Sequence, residues 1–280
     1  MQLIDEDTIT QAVIARHARA ADPRLRDLMT SLVQHLHAFA REVRLTDREW
    51  QAGLRLLAEA GRLSQGPRHE FALLSDTLGV SALVAAMAPR RAAGRADAGA
   101  GAGASAGALP AAIEATEATE AGRAAPLPNA ETADGAAPCF LRGQVRGTDG
   151  RPVPGAELLL GADGTRLPAD AQGRFQARVQ AVAAQPLPTD GPTGALLRSL
   201  GRSAWRPAYV PVCIRAAGYR TLRTQLFRRG DRHLDADAAF GVRRSLVADW
   251  RPHDSGPAPD GSPCERPFHT VDFDFVLEPA

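Results

Sequence analysis

The first part of the chain has apolar residues at helical spacing. Between residues 25 and 43 the apolar side chains recur every three or four positions, which predicts one amphipathic helix. The run "TDRE" at residues 46–49 has the threonine and glutamate of a capping box and predicts the start of a second helix. The run "EFALLSDTLGVSALVAAM" adds another amphipathic stretch. Residues 1–88 are therefore predicted to form a helical region.

The middle of the chain, residues 89–137, has a different composition. It is rich in alanine, glycine, proline and small polar residues, with hardly a large apolar side chain. Such a segment cannot bury enough surface to offset the entropy cost of ordering it. We expect a flexible linker, in which the Ala-rich part has no apolar stripe that would dock a transient helix.

The last part of the chain, residues 138–280, alternates between apolar and polar positions. "FLRGQV" and "ELLL" flank a Gly/Pro-rich turn and predict a strand and its returning strand, while "VPVCIRA" and "YRTLRTQLF" predict an antiparallel pair. Short strands with regular turns are typical of an antiparallel β-sandwich. Helices followed by strands predict an α+β chain of two regions.

Charge and cysteine content restrict the class of partner and compartment. The chain has 33 Lys and Arg against 32 Asp and Glu, a net charge of +1, which favours neither nucleic acid nor an anionic membrane surface. No apolar stretch approaches the ~20 residues that span a bilayer, and "MQLIDEDTIT" lacks the pattern of a secretory signal. The three cysteines form no CxxC pair, as expected for free thiols in a reducing compartment. We therefore expect a cytoplasmic protein with no nucleic-acid or membrane partner.

Several motifs resemble one enzyme family. "LTDREWQAGLRLLAEAGR" and "RHEFALLSDTLGVSALV" are similar to the N-terminal helical domain of catechol and hydroxyquinol 1,2-dioxygenases. "GQVRGTDGRPVPGAELLL", "PLPTDGPTGALLRSLGR", "WRPA" with "AAGYRTLRTQLF", "GDRHLDADAAFGVRRSLV" and "DFDFVLEPA" are similar to their catalytic sandwich. The chain thus resembles the intradiol ring-cleavage dioxygenases everywhere except in the linker. The resemblance implies their fold, and a dimer formed through the helical region.

The family's iron site is changed in this chain. In that family two tyrosines and two histidines hold Fe(III), because phenolates are hard anionic donors that stabilise the ferric ion. The resemblance places Gln185 at a tyrosine position, and Tyr209 and Pro211 at the two histidine positions. The segment with the other tyrosine is missing between "ELLLGADG" and "TRLPADAQGRF". We therefore expect no metal ligands and no cofactor.

Other positions of the family's pocket are retained. The resemblance implies polar, catalytic-type positions at Arg206, Tyr209 and Gln225, and substrate-binding positions at Leu73, Asp76, Leu187, Pro188 and Arg206. An equally weighted alternative is that these residues are kept for packing, with Leu187 and Pro188 shaping a turn and Arg206 in a buried ion pair.

Two further groups of polar residues have the composition of metal sites. His233 lies between Asp231 and Asp235, an arrangement that we interpret as turn capping. The second group is His253, Asp254, Cys264 and His269, whose spacing fits no tetrahedral zinc motif. Neither group is expected to bind a metal.

These observations leave three hypotheses on function. The first is a dioxygenase homologue without its iron site, a pseudoenzyme that serves as a binding or partner subunit, either as a homodimer or as a heterodimer with a paralogue. The second is an enzyme that uses the same aromatic pocket for metal-free or differently metallated chemistry through Arg206, Tyr209 and Asp76. The third is ring cleavage supported by an unusual ligand set. A small aromatic molecule is the expected ligand, and whether the protein is an enzyme stays open.

Overall fold

The computed structural model describes residues 4–65, 68–87, 113–119 and 138–280. The chain divides into two compact units, Met1–Glu59 and Ala60–Ala280. Most of the predicted linker, residues 89–137, lies outside the described residues. The predicted division into 1–88, 89–137 and 138–280 therefore stays a prediction.

The first unit consists of helices. They are α1 (Ile9–His17), α2 (Pro23–Glu42) and most of α3 (Asp47–Leu63). The predicted capping box is confirmed at the start of α3, because the Thr46 N–H donates to Glu49 Oε2 at 2.9 Å and the Glu49 N–H donates to Thr46 Oγ1 at 3.4 Å. These reciprocal bonds satisfy two backbone donors that a helix start would otherwise leave unpaired.

Among its described residues, the second unit contains three short α-helices besides the end of α3. They are α4 (Glu70–Thr77), α5 (Val80–Met87) and α6 (Pro192–Ser199). Within the described part of the chain, no single helix has the length and apolarity needed to cross a membrane. Only α4 and α5 taken together reach that composition, and they bend by 74°.

Two five-stranded sheets form the body of the second unit. The first sheet contains β1 (Cys139–Gly147), β4 (Arg174–Val179), β10 (Arg251–His253), β13 (Phe268–Asp272) and β14 (Phe275–Leu277). The second contains β2 (Glu157–Leu160), β3 (Thr165–Pro168), β7 (Tyr209–Arg215), β8 (Leu222–Arg228) and β9 (Val247–Ala248). Two short ribbons pair β5 (Gln185–Pro186) with β6 (Trp205–Arg206), and β11 (Gly256–Pro257) with β12 (Pro263–Cys264).

Side chains from both sheets form one hydrophobic core. Leu141 and Phe275 come from the first sheet, and Leu158 and Leu226 come from the second. Along β4 buried and exposed residues alternate, as they do in a strand with one face against a core. The predicted sandwich, and with it the α+β class, is confirmed.

The predicted strand pairing is wrong in two respects. "FLRGQV" and "ELLL" do not form a hairpin, because they belong to β1 and β2 in different sheets. The sheets are mixed and not purely antiparallel, since β1 pairs in parallel with β13 and β14, and β8 pairs in parallel with β9. The two parallel partners of β1 follow it by more than a hundred residues, so local alternation carries no information on their direction. Gly143 makes this arrangement possible, because a Cβ there would lie 1.8 Å from the Phe273 carbonyl oxygen.

The predicted antiparallel pair of "VPVCIRA" and "YRTLRTQLF" is confirmed. Strands β7 and β8 pair antiparallel, with Tyr209 opposite Phe227 and Pro211 opposite Gln225. Gly218, in the connecting turn, has a φ of +80°, a conformation that glycine adopts without strain.

A short piece of the predicted linker docks on the sandwich. In residues 113–119, which we call the strap, the Ile113 N–H donates to the Thr148 carbonyl at 3.0 Å and the Thr116 N–H donates to the Val276 carbonyl at 2.9 Å. The Thr119 N–H donates to the Arg223 carbonyl at 3.0 Å. The strap therefore bonds to both sheets, although the composition of this span predicts a flexible linker. These hydrogen bonds are made by the backbone of the strap, so its amino-acid composition does not predict them.

Candidate functional site

The candidate site lies on one face of the β7–β8 hairpin. Side chains alternate along a strand, so Tyr209 and Pro211 lie on the same face of β7, next to their cross-strand neighbours Phe227 and Gln225. Tyr209 is 3% exposed, and its ring centroid lies 6.1 Å from that of Phe227. Tyr209 is therefore packed into the core.

Arg206 connects the polar side chains of this face. Its Nη2 donates to Gln225 Oε1 at 2.8 Å, and its Nε donates to Asp237 Oδ1 at 2.9 Å. Its guanidinium carbon lies 5.1 Å from the centre of the Tyr209 ring, within the range of a cation–π contact. The structure thus brings together the three predicted polar residues Arg206, Tyr209 and Gln225. It also places Arg206 in the buried ion pair that the packing alternative expects.

Asp237 belongs to this cluster and was not predicted. Its carboxylate accepts the Ala239 N–H at 3.2 Å and the Gly241 N–H at 2.8 Å, in addition to the Arg206 guanidinium. The segment "DADAAFGV" resembles a capped turn, and an aspartate that binds backbone two residues ahead is the usual turn pattern. The local pattern cannot show that the same carboxylate also reaches an arginine 31 positions earlier.

The apolar side of the site is a small buried cluster. Leu73 from α4, Leu187 and Ala238 pack together with exposures of 3%, 5% and 1%. Asp76 is also buried on α4, and Pro188 is half-buried next to Leu187. Leu73 and Leu187 therefore meet as the resemblance implies, and the substrate-binding roles stay predictions.

The buried carboxylate of Glu70 connects helix α4 to helix α6. Glu70, at the start of α4, accepts the Thr193 N–H of α6 at 3.0 Å and the Arg68 guanidinium at 3.0 Å. Arg68 also donates to Asp190 Oδ2 at 2.8 Å, and this bond lowers the pKa of the Asp190 carboxyl. A Cβ on Gly191 would lie 2.6 Å from Glu70 Oε1. We call this group the Glu70 clasp, and it holds α4 against α6.

Two of the residues that the resemblance places at ligand positions make backbone contacts. Gln185 pairs through β5 with Arg206 of β6, and Pro211 contributes its carbonyl to the Gly161 N–H at 2.9 Å. The sequence has two tyrosines, and the second, Tyr219, bridges to Pro279. Among the residues that the structure describes, no three His, Cys, Asp or Glu side chains are arranged to hold a metal ion.

The two other polar groups have structural contacts. The His233 ring stacks on Trp205 with centroids 4.9 Å apart, and Asp231 accepts the Ala208 N–H at 3.0 Å. In the second group His253 Nε2 lies 2.8 Å from Thr270 Oγ1. Burial lowers the pKa of the His269 imidazole, which favours the neutral form of that ring.

The sequence and the fold of this chain match a group of known proteins. Residues 22–96 match the catechol dioxygenase N-terminal family and residues 160–279 match the dioxygenase family. The chain is 40% identical to the 6-chlorohydroxyquinol 1,2-dioxygenase of Cupriavidus pinatubonensis, with 100% of this chain and 99% of that protein covered. It is 36% identical to the hydroxyquinol 1,2-dioxygenase of Nocardioides simplex, over 98% of this chain and 96% of that protein.

A solved structure agrees with these relatives. The structure of the hydroxyquinol 1,2-dioxygenase of Pseudomonas putida superimposes on this chain with a TM-score of 0.79 and is 32% identical to it in sequence. The match covers 98% of this chain and 99% of the dioxygenase chain. The chain belongs to the intradiol ring-cleavage dioxygenase family. Its similarity to hydroxyquinol 1,2-dioxygenases extends over its whole length.

These relatives correct the prediction on the cofactor. The expectation that the chain has no cofactor is wrong, because the 1,2-dioxygenases that it matches belong to a family that uses Fe(III). Fe(III) is therefore the cofactor that family membership assigns. The residues that the resemblance places at three of the ligand positions, Gln185, Tyr209 and Pro211, differ from the family's donor set of two phenolates and two imidazoles.

Proposed function

We propose that this protein is an intradiol dioxygenase homologue whose iron ligands have been replaced, and that it does not cleave aromatic rings. It keeps the aromatic pocket and acts as a binding or partner subunit. The observation that carries the proposal is the identity of Gln185, Tyr209 and Pro211 at three of the family's four ligand positions.

Donor chemistry supports the proposal. The Gln185 amide is neutral and is a much weaker ligand for ferric iron than a phenolate, and the Pro211 side chain has no donor atom. Tyr209 has a phenol, but its ring is buried and lies near both the Phe227 ring and the Arg206 guanidinium. Bound to family-type ligands, Fe(III) would supply activation of a diol toward oxygen, and these three residues do not reproduce that shell.

The retained residues support binding of a small aromatic molecule. Leu73, Leu187 and Ala238 provide apolar surface, which favours a ring because it removes apolar area from water. Arg206 and Gln225, which are hydrogen-bonded to each other, provide polar groups of the kind that orient hydroxyl substituents. Apolar walls with a few converging polar groups are typical of small-molecule sites.

Oxygen uptake tests the proposed function. We expect the full-length protein, supplied with ferrous and ferric iron, to consume oxygen with hydroxyquinol or catechol no faster than a sample without protein. A hydroxyquinol 1,2-dioxygenase treated in the same way serves as the positive control. Turnover that rises with the amount of bound iron would contradict the proposal.

Ring cleavage by an unusual ligand set is the second candidate. It is favoured by the 40% identity to a 6-chlorohydroxyquinol 1,2-dioxygenase over the full length, and by the grouping of Arg206 with Gln225. Under this candidate the same oxygen-uptake experiment gives a ring-opened product.

We also propose that the protein forms a homodimer, or a heterodimer with a paralogue, through residues 1–88. The apolar stripe of α2 is solvent-exposed, with Leu28, Leu32, Leu36 and Phe39 between 49% and 54% exposed. Contiguous exposed apolar side chains mark interaction surfaces, and a helix with such a face gains stability when a partner covers it.

We also propose that the protein is cytoplasmic and that it has no nucleic-acid or membrane partner.

Replacing Leu36 by glutamate is expected to weaken this dimer by about 2 kcal/mol or more, because a charge would be buried in the apolar interface. Light scattering over a concentration series measures the change. Gln34→Glu adds the same charge at an exposed position two residues away and should leave the dimer intact. A wild-type protein that is monomeric at all concentrations would contradict the dimer.

A further inference from the structure

Three segments of the second unit meet at the side chain of Arg243. Its Nη1 donates to the Phe240 carbonyl at 2.9 Å, and its Nη2 donates to the Ala82 carbonyl of α5 at 3.4 Å. Its Nε lies 3.9 Å from Glu117 Oε1 of the strap. Ala82 is 161 positions away from Arg243 in the sequence. One guanidinium therefore connects α5, the strap and the loop that precedes Arg243.

Glu117 is the carboxylate that compensates this guanidinium. Among the described residues, no other carboxylate lies within 4.0 Å of Arg243. Glu117 also accepts the Ser245 hydroxyl through Oε2, and its carbonyl accepts the Thr224 hydroxyl at 2.8 Å. The Arg243 side chain is 23% exposed, and a largely buried cation without a counter-charge is costly. We call Glu117, Arg243 and Ser245 the Glu117 latch.

Helix α5 depends on this contact because its buried side chains are small. Ala82 and Ala85 are 6% and 3% exposed, whereas Val80 and Leu83 are 48% and 60% exposed. Burying an alanine removes little apolar area from water, so packing contributes little to holding α5 in place. The bond from Arg243 to the Ala82 carbonyl is therefore a substantial part of what keeps α5 against the rest of the second unit.

We propose that the Glu117 latch couples the strap to helix α5, so that the two open together. Glu117 is a positioning residue, because it holds the guanidinium of Arg243 where that group can bind the carbonyls of Ala82 and Phe240. When the strap leaves the sandwich, Arg243 loses its counter-charge, turns toward water and releases both carbonyls. A partner that drew the strap away would thereby also loosen α5. This coupling does not depend on what the pocket binds.

Hydrogen exchange of the full-length protein tests the coupling, because the exchange rate of an amide reports local opening. In Glu117→Ala, exchange should rise about threefold in residues 83–87 and 240–246 as well as in the strap, the size that loss of a half-exposed ion pair gives. Exchange in β1 and β13 should stay as in the wild type. Glu114→Ala is the matched control, since it removes a carboxylate from an exposed position of the same strap, and should leave α5 unchanged.

A second pair of variants tests whether Glu117 acts through Arg243. Arg243→Gln should raise exchange in the strap and in α5. Combining it with Glu117→Ala should add nothing further in α5, because residues that act through one contact have non-additive effects. If Arg243→Gln does not fold, the comparison of Glu117→Ala with Glu114→Ala decides the question, since both positions are exposed.

Four results would overturn the coupling. The first is faster exchange of the strap alone in Glu117→Ala, which would confine the role of Glu117 to its own segment. The second is a uniform rise in every element, which would indicate a loss of global stability. The third is an equal rise of α5 exchange in Glu114→Ala. The fourth is a double variant in which the two single effects on α5 multiply.

Discussion

Restoring three iron ligands, through Gln185→Tyr, Tyr209→His and Pro211→His, is expected to leave ring cleavage at least about a hundredfold below that of a hydroxyquinol 1,2-dioxygenase. The two histidines would lie on the same face of β7, so part of the ligand set would return. The fourth ligand would still be missing. The resemblance places it on a segment between β2 and β3, and here residues 161–164 alone join these strands.

The backbone adds a second obstacle to this restoration. Proline donates no hydrogen bond, and β7 has formed its pairing with β8 around Pro211. Tyr209 fills space in the core, and the smaller histidine would leave a void there. Oxygen uptake by the iron-loaded triple variant, compared with the positive control, provides the measurement. Turnover near that of the control would show that the site geometry survives and that the fourth ligand is dispensable.

Replacing Glu70 by alanine is expected to lower the free energy of unfolding by about 3 kcal/mol. Glu70 is fully buried and accepts bonds from Thr193 and Arg68. Its removal leaves a buried N–H without its acceptor and takes one carboxylate from Arg68, and each of these changes is costly. Denaturant titration of the full chain, followed by circular dichroism, measures the loss.

Asp190→Asn is the matched control for the Glu70 clasp. Asp190 is the other partner of Arg68, but its side chain is 72% exposed, so its removal should cost less than about 1 kcal/mol. Because the pKa of Asp190 is lowered in the folded protein, its small contribution is present above the pKa of the unfolded state. It is lost as the pH falls through the lower folded value. An equal loss in both variants would show that burial of Glu70 is not what stabilises the clasp.

Local sequence patterns predict the individual helices and strands of this protein better than they predict which strands pair with each other. The capping box at Thr46 and the β7–β8 hairpin depend on residues close in sequence, and both are present. The pairing of β1 with β13 and β14 depends on chain direction over long distances, and alternation in "FLRGQV" does not encode it. The antiparallel sheet and the β1–β2 hairpin were therefore predicted wrongly.

The site shows the same division. Motif resemblance identified Arg206, Tyr209 and Gln225, and the structure groups them. The resemblance did not identify Asp237 or Glu70, because each acts through a distant partner. Asp237 binds Arg206, which is 31 positions away, and Glu70 binds Thr193, which is 123 positions away. A buried aspartate in a turn motif and a glutamate at a helix start have ordinary local explanations, so their long-range contacts were not predictable from the pattern.

The strap has a consequence for where an independently expressed sandwich has to begin. A fragment that starts at residue 138 would lack the N–H groups that bond to the carbonyls of Thr148, Val276 and Arg223. It would also leave the Thr224 hydroxyl without the Glu117 carbonyl, to which it donates at 2.8 Å. These groups lie on both sheets, so the truncation would remove hydrogen-bond partners from both sheets at once. A piece of this chain that keeps the sandwich hydrogen bonds of the described residues therefore includes Ile113, and its first residue precedes β1 by at least 26 positions.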